Sequence, residues 1–137
     1  MTDDTLTTDR VTRISPWPLF VAVGLALSEV GVLLGIVPLA VGGILLFGGS
    51  CAGVVHESGY ASSPWRPVQA VGGLFFVIGL GVWLARLPAY TVRAAVHVVS
   101  VDLVALRGAA ILGAGGLLVL GGLVGSAWRA DRGDMFG

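Results

Sequence analysis

The chain has 137 residues, 55% hydrophobic and 12% charged, with eight basic and eight acidic residues, a formal net charge of zero and a mean hydropathy of +0.92. That balance is far from a soluble domain and makes lipid the expected solvent. It excludes the clustered positive charge of a nucleic-acid-binding surface, and the single cysteine, Cys51, excludes an intrachain disulfide and reads as a structural thiol within an apolar run.

Residues 1–14 are polar, with Asp3, Asp4 and Asp9 against Arg10 and Arg13, and lack the apolar pattern that would order them; a flexible tail is expected. At Ser15-Pro16-Trp17-Pro18 the character changes: Ser suits an N-cap, Pro the first helical turn and Trp the headgroup level. A first span over about 18–36 follows, apolar except for Ser28 and Glu29. Ala26-Leu27-Ser28 resembles a signal-peptide cleavage site, but the segment before it is net acidic and the apolar run continues beyond it, so a retained span is expected.

Gly35 and Pro38 bracket an uncharged connection to a second span over about 39–55, making a tight hairpin that ends at His56-Glu57. Residues 58–67 hold Gly59, Tyr60, Ser62, Ser63, Pro64, Arg66 and Pro67, turn formers and interfacial anchors. A third span follows over about 68–84, closed by Trp83, Arg86 and Pro88. The fourth is clearest over 108–128, with a charged tail over 129–137.

Residues 91–107 do not fit one crossing, because joined to the fourth span they would make a helix of about 55 Å, nearly twice the hydrocarbon thickness. On a helical wheel Arg93, His97, Ser100 and Arg107 fall to one side and Val92, Val96, Val99, Leu103 and Leu106 form an apolar stripe. That predicts an interfacial helix or the protruding half of a long one. The expected fold is an all-α membrane protein: a bundle of about four transmembrane helices within 15–128, with an amphipathic helical segment before the last span.

A weak echo runs at a spacing of 48 residues: Ser15-Pro16-Trp17 recurs as Ser63-Pro64-Trp65, Ala22-Val23-Gly24 as Ala70-Val71-Gly72, and Gly31 matches Gly79. Two hairpins in the same orientation would produce it, with Trp17 and Trp65 at one membrane face. Arg10, Arg13, Arg66, Arg129 and Arg132 on that face outnumber Arg86, Arg93 and Arg107 on the other, which predicts cytoplasmic termini in a multi-pass plasma-membrane protein.

Glu29 is the acidic group set well within a span, where an ionised side chain costs several kcal/mol unless paired, protonated or hydrated. It lies beside small residues, Gly24, Ser28, Gly31 and Gly35, that admit a neighbouring helix. It is either a proton- or cation-linked carboxylate or a group that fixes helix packing. Asp102, opposite Arg93 and His97 on its helix, is a candidate contact to a partner protein. Gly31 and Gly35, Gly49 and Gly53, and Gly121 and Gly125 match the small-xxx-small pattern of packed membrane helices. The two histidines, His56 and His97, fall at opposite ends of the predicted spans, so no haem, copper or zinc site is expected in this chain. Phosphate-binding loop, nucleophile elbow and paired His-Glu helix signatures are absent from the sequence, so the chain is not expected to be an enzyme by itself.

The segment SPWPLFVAVGLALSEVGVLLGIVPLAVGGILLFGGSCAGVVHESGY, Ser15 to Tyr60, resembles small haloarchaeal membrane proteins encoded beside cytochrome c oxidase genes, the cox cluster proteins. The resemblance is carried by SPWP, Ser28-Glu29, the LLFGGS run from Leu45 to Ser50, and Glu57 to Tyr60. It implies an accessory subunit of a haem-copper terminal oxidase, with haem and copper in larger partner subunits of the respiratory chain. The alternatives are a small proton-coupled transporter using Glu29 and a free-standing membrane assembly factor.

Overall fold

The computed structural model describes residues 14–136, and the expected tail falls outside them apart from Ile14. It contains five helices in chain order: α1 (Trp17–Leu34), α2 (Val37–Glu57), α3 (Trp65–Ala85), α4 (Val92–Val101) and α5 (Leu103–Phe136). The described residues hold no strand. α1, α2, α3 and α5 are long and apolar enough to cross a membrane. At ten residues, about 15 Å, α4 is too short to span. The protein is therefore the expected all-α bundle, with its short amphipathic helix before the last long one.

Local chemistry sets the helix ends. Pro16, not Ser15, takes the N-cap of α1. The Ser15 hydroxyl instead donates to the Glu57 carboxylate at 2.5 Å, tying the start of α1 to the end of α2. At the other end Gly35 adopts φ +69°, a left-handed conformation that costs glycine nothing. Its N–H donates to Val32 O at 3.1 Å and the Ile36 N–H to Gly31 O at 2.8 Å, satisfying two carbonyls that the helix end leaves open. Pro38 then sits in the first turn of α2, so Gly35 and Ile36 alone connect the two helices.

The second half differs from expectation in two places. Residues 91–107 are not one helix: α4 ends at Val101, because Asp102 takes an extended backbone (φ −122°, ψ 114°) and its Oδ1 accepts the Val104 N–H at 2.8 Å. Asp102 thus caps α5, and Leu103 to Arg107 belong to that helix. The charged segment from Arg129, expected as a tail, continues α5 to Phe136. Its backbone bonds are closed within the helix whether lipid or water surrounds it, so the end of the apolar run imposes no end on the helix. At 34 residues, about 51 Å, α5 projects well beyond a hydrocarbon core of about 30 Å.

Two hairpins build the bundle: α1 packs on α2, α3 packs on α5, and α2 and α5 meet between them. Each hairpin is closed by glycines at matching positions. In the first, a Cβ on Gly24 would fall 2.5 Å from Phe47 N and 2.8 Å from Gly43 O; Gly43 faces the Ser28 backbone and Gly31 the Ala40 backbone. In the second, Gly72 faces Val119 N and Gly115 O, Gly115 the Phe76 backbone, and Gly79 the Leu112 backbone. Trp17 covers Gly53 in one and Trp65 covers Gly125 in the other. The first-helix positions are related by 48 residues, as the sequence echo has it, and the second-helix positions by 72. The 24-residue difference is the longer connection that carries α4.

Backbone approach of this kind is what packing requires in lipid, where burying an apolar side chain gains little and close van der Waals contact decides. The core is accordingly made of small and medium residues: Val32, Ala40, Ile44, Leu106, Ala110 and Ala114. Larger side chains such as Leu33, Val77 and Leu120 point outward.

Candidate functional site

α1 and α3 stand apart on one side of the α2–α5 pair, and the space between them is a groove with a cavity of about 180 Å³. Leu25, Ser28, Glu29 and Val32 of α1 form one wall, Phe75 and Ile78 of α3 the other. Ile44 and Phe47 of α2 and Ile111 of α5 floor it, with Arg107 of α5 at its rim. Phe47 and Phe75 stack with ring centroids 5.9 Å apart and planes 6° off parallel.

Arg107 donates to the Glu29 carboxylate at 2.5 Å, joining α5 to α1 across 78 residues of sequence. Both side chains are nearly half exposed, 49% for Arg107 and 46% for Glu29. Glu29 lies twelve residues along α1 from Trp17 and five before Leu34, about 18 Å and 8 Å at 1.5 Å per residue. It is thus nearer the Gly35 end of the bundle, where Arg107 stands in the second turn of α5. The start of α5 at Leu103 places Arg107, expected within an amphipathic segment over 91–107, on the long last helix, from which it pairs with Glu29. The groove can therefore offer an otherwise apolar surface with one fixed ion pair at its edge.

The other singled-out residues divide. Gly24, Ser28 and Gly31 form the α1–α2 contact, and Ser28 is buried with its hydroxyl donating to Leu25 O at 2.8 Å. Gly53 and Gly125 receive tryptophan rings. Gly35 serves the turn, and an added Cβ there would meet nothing within 4 Å. Gly49 and Gly121 are likewise open, so within this chain neither packs a helix. Gly43, Gly72, Gly79, Gly108 and Gly115, which fall outside the small-xxx-small pairs, make close approaches; Gly72 and Gly79 belong to the 48-residue echo, whereas Gly43 and Gly115 are 72 residues apart and carry no such signal.

Asp102 turns inward on its own chain, capping α5 and standing 3.8 Å from the Arg86 guanidinium at the end of α3. His56 lies at the end of α2 beside the Ala61 carbonyl, and His97 is exposed on α4 at the opposite end of the bundle. Among the described residues no group of three or more His, Cys, Asp or Glu side chains could hold a metal ion.

These features define a small multi-pass helical membrane protein with a lateral, charge-rimmed groove. The chain belongs to a family of unknown function, DUF7541, whose model matches residues 1–128. No curated protein and no solved structure matches it.

Proposed function

We propose that this protein is a non-catalytic accessory subunit of a larger membrane complex, with the groove between α1 and α3 as its docking surface. The observation that carries this reading is the Glu29–Arg107 pair, nearly half exposed at the rim of an apolar groove between helices long and apolar enough to cross a membrane. A guanidinium has five N–H donors and a carboxylate about four acceptor positions, and one mutual contact leaves most of them open. Acyl chains offer nothing to these groups, and leaving them bare in hydrocarbon costs several kcal/mol. A partner helix bringing a polar side chain to that rim would complete them while its apolar residues fill the groove.

The resemblance of Ser15 to Tyr60 to the cox cluster proteins supports a haem-copper terminal oxidase as that complex, with haem and copper held by its larger subunits. The transporter reading needed a lone carboxylate in the first span, and Arg107 matches that charge. The placement we favour is the plasma membrane with cytoplasmic termini, supported by Arg10, Arg13, Arg66, Arg129 and Arg132 on one side of the spans in sequence against Arg86, Arg93 and Arg107 on the other.

The test is to tag the chain, extract it from its native membranes in mild detergent, and record the visible spectrum and chain composition of the isolate. Stoichiometric haem and large oxidase subunits are expected. Isolation with other membrane chains and no haem would keep the accessory role and overturn the oxidase. Isolation alone, as a colourless species, would overturn both.

A further inference from the structure

At the opposite end of the bundle from the Gly35 turn, Trp65, Gly125, Trp128, Arg129 and Arg132 line a second cavity of about 270 Å³. The sequence forms it simply. Gly125 has no side chain, so the six-membered ring of Trp65 rests directly on α5 there. Trp128, Arg129 and Arg132 follow within two turns on the same side of the helix. The Arg132 guanidinium lies 5.8 Å from the Trp128 ring centroid, over its face. Asp131 and Asp134 are turned by about 110° and about 170° from the centre of this stripe at 100° per residue. Among the described residues neither arginine forms an ion pair with a carboxylate.

The internal repeat supplies a comparison that points to a ligand. Trp17 rests on Gly53 in the first hairpin as Trp65 rests on Gly125 in the second. Yet the position 72 residues before Arg129 is Glu57, whose carboxylate is engaged by Ser15. The same joint is thus acidic and closed in one hairpin, cationic and open in the other.

We propose that Arg129 and Arg132, beside Trp65 and Trp128, bind the phosphate headgroup of an anionic phospholipid. Two guanidinium groups suit phosphate oxygens. The tryptophans place the site at headgroup level, where a lipid phosphate resides. The site is independent of the Glu29–Arg107 groove and of the complex proposed for it.

The experiment reconstitutes the full-length protein in vesicles of equal phosphatidylglycerol and phosphatidylcholine, extracts it in mild detergent, and counts retained lipids by native mass spectrometry. The wild-type chain is expected to retain phosphatidylglycerol selectively. Arg129→Gln with Arg132→Gln is expected to lower that retention about thirtyfold, each arginine near an anionic surface contributing about fivefold. Arg93→Gln at the far end leaves it unchanged. Undiminished retention in the double arginine variant, or an equal loss in Arg93→Gln, overturns the proposal. So does displacement of the lipid by millimolar inorganic phosphate, which would make the ligand a soluble anion.

Discussion

Arg107 in the second turn of α5 donates to the Glu29 carboxylate of α1, so the two hairpins are joined by an ion pair at the rim of an apolar groove. The geometry makes each charge depend on the other. Both side chains are nearly half exposed, so removing one partner costs about 1 kcal/mol. Glu29→Gln and Arg107→Leu are each expected to destabilise the protein by about that amount in detergent unfolding titrations. The double variant should lose much less than the sum. Additive losses would mean that the pair contributes nothing as a pair.

The glycine registers divide tolerant from intolerant positions. Gly43→Ala and Gly115→Ala place a methyl group against the facing helix backbone, at Ser28 and Phe76 respectively. Overpacking of this kind costs about 1–3 kcal/mol, and more where backbone is the obstacle. Gly49→Ala and Gly121→Ala enter open space and should be neutral or stabilising by up to about 1 kcal/mol, the helix propensity difference. Thermal unfolding of the four single variants checks the ordering. Equal sensitivity at all four positions would contradict the packing described.

Asp102 is expected to act chiefly as a cap. Asp102→Ala should destabilise by about 1 kcal/mol, while Asp102→Asn, which still accepts from the Val104 N–H, should retain most of that. Arg86→Gln should cost less than about 1 kcal/mol, since the 3.8 Å pair is partly exposed. Hydrogen exchange at the Leu103 and Val104 amides reads the cap directly. Protection unchanged in Asp102→Ala would assign the helix start to packing alone.

Two hairpins in the same orientation return the chain to its starting side twice. In a Cys51→Ser background, Ser62→Cys and Ala130→Cys should be labelled by a membrane-impermeant maleimide from one side of sealed vesicles. Ala89→Cys should be labelled from the other. Labelling of all three from one side would exclude the four-crossing arrangement.

Much of the fold was legible in the sequence. The Gly35 and Pro38 pair identified a tight hairpin because a left-handed residue followed by a helix-starting proline is local chemistry, and Gly35 does adopt φ +69°. The Ser-Pro-Trp echo identified the relation between the hairpins, since both tryptophans land on glycines of the partner helix. The break at Asp102 was not visible. Val92 to Leu106 keeps an unbroken helical pattern, and the extended conformation at Asp102 is held by contacts with Arg86 and with the Val104 N–H.

The candidate site was half legible: the need for a partner at Glu29 followed from its place within a span, but the identity of that partner did not.

Hydropathy, length and turn chemistry are properties of short segments, and they alone determined that this chain forms four long apolar helices with an amphipathic one between the third and fourth. Which faces meet is a different matter, because in lipid every side of an apolar helix is already solvated. Only the three-dimensional arrangement decided that Gly24 and Gly43 close one hairpin and Gly72 and Gly115 the other, while Gly49 and Gly121 stay open. It also decided that Arg107 reaches Glu29, since a charge match between residues 78 positions apart depends on where two helices are set side by side.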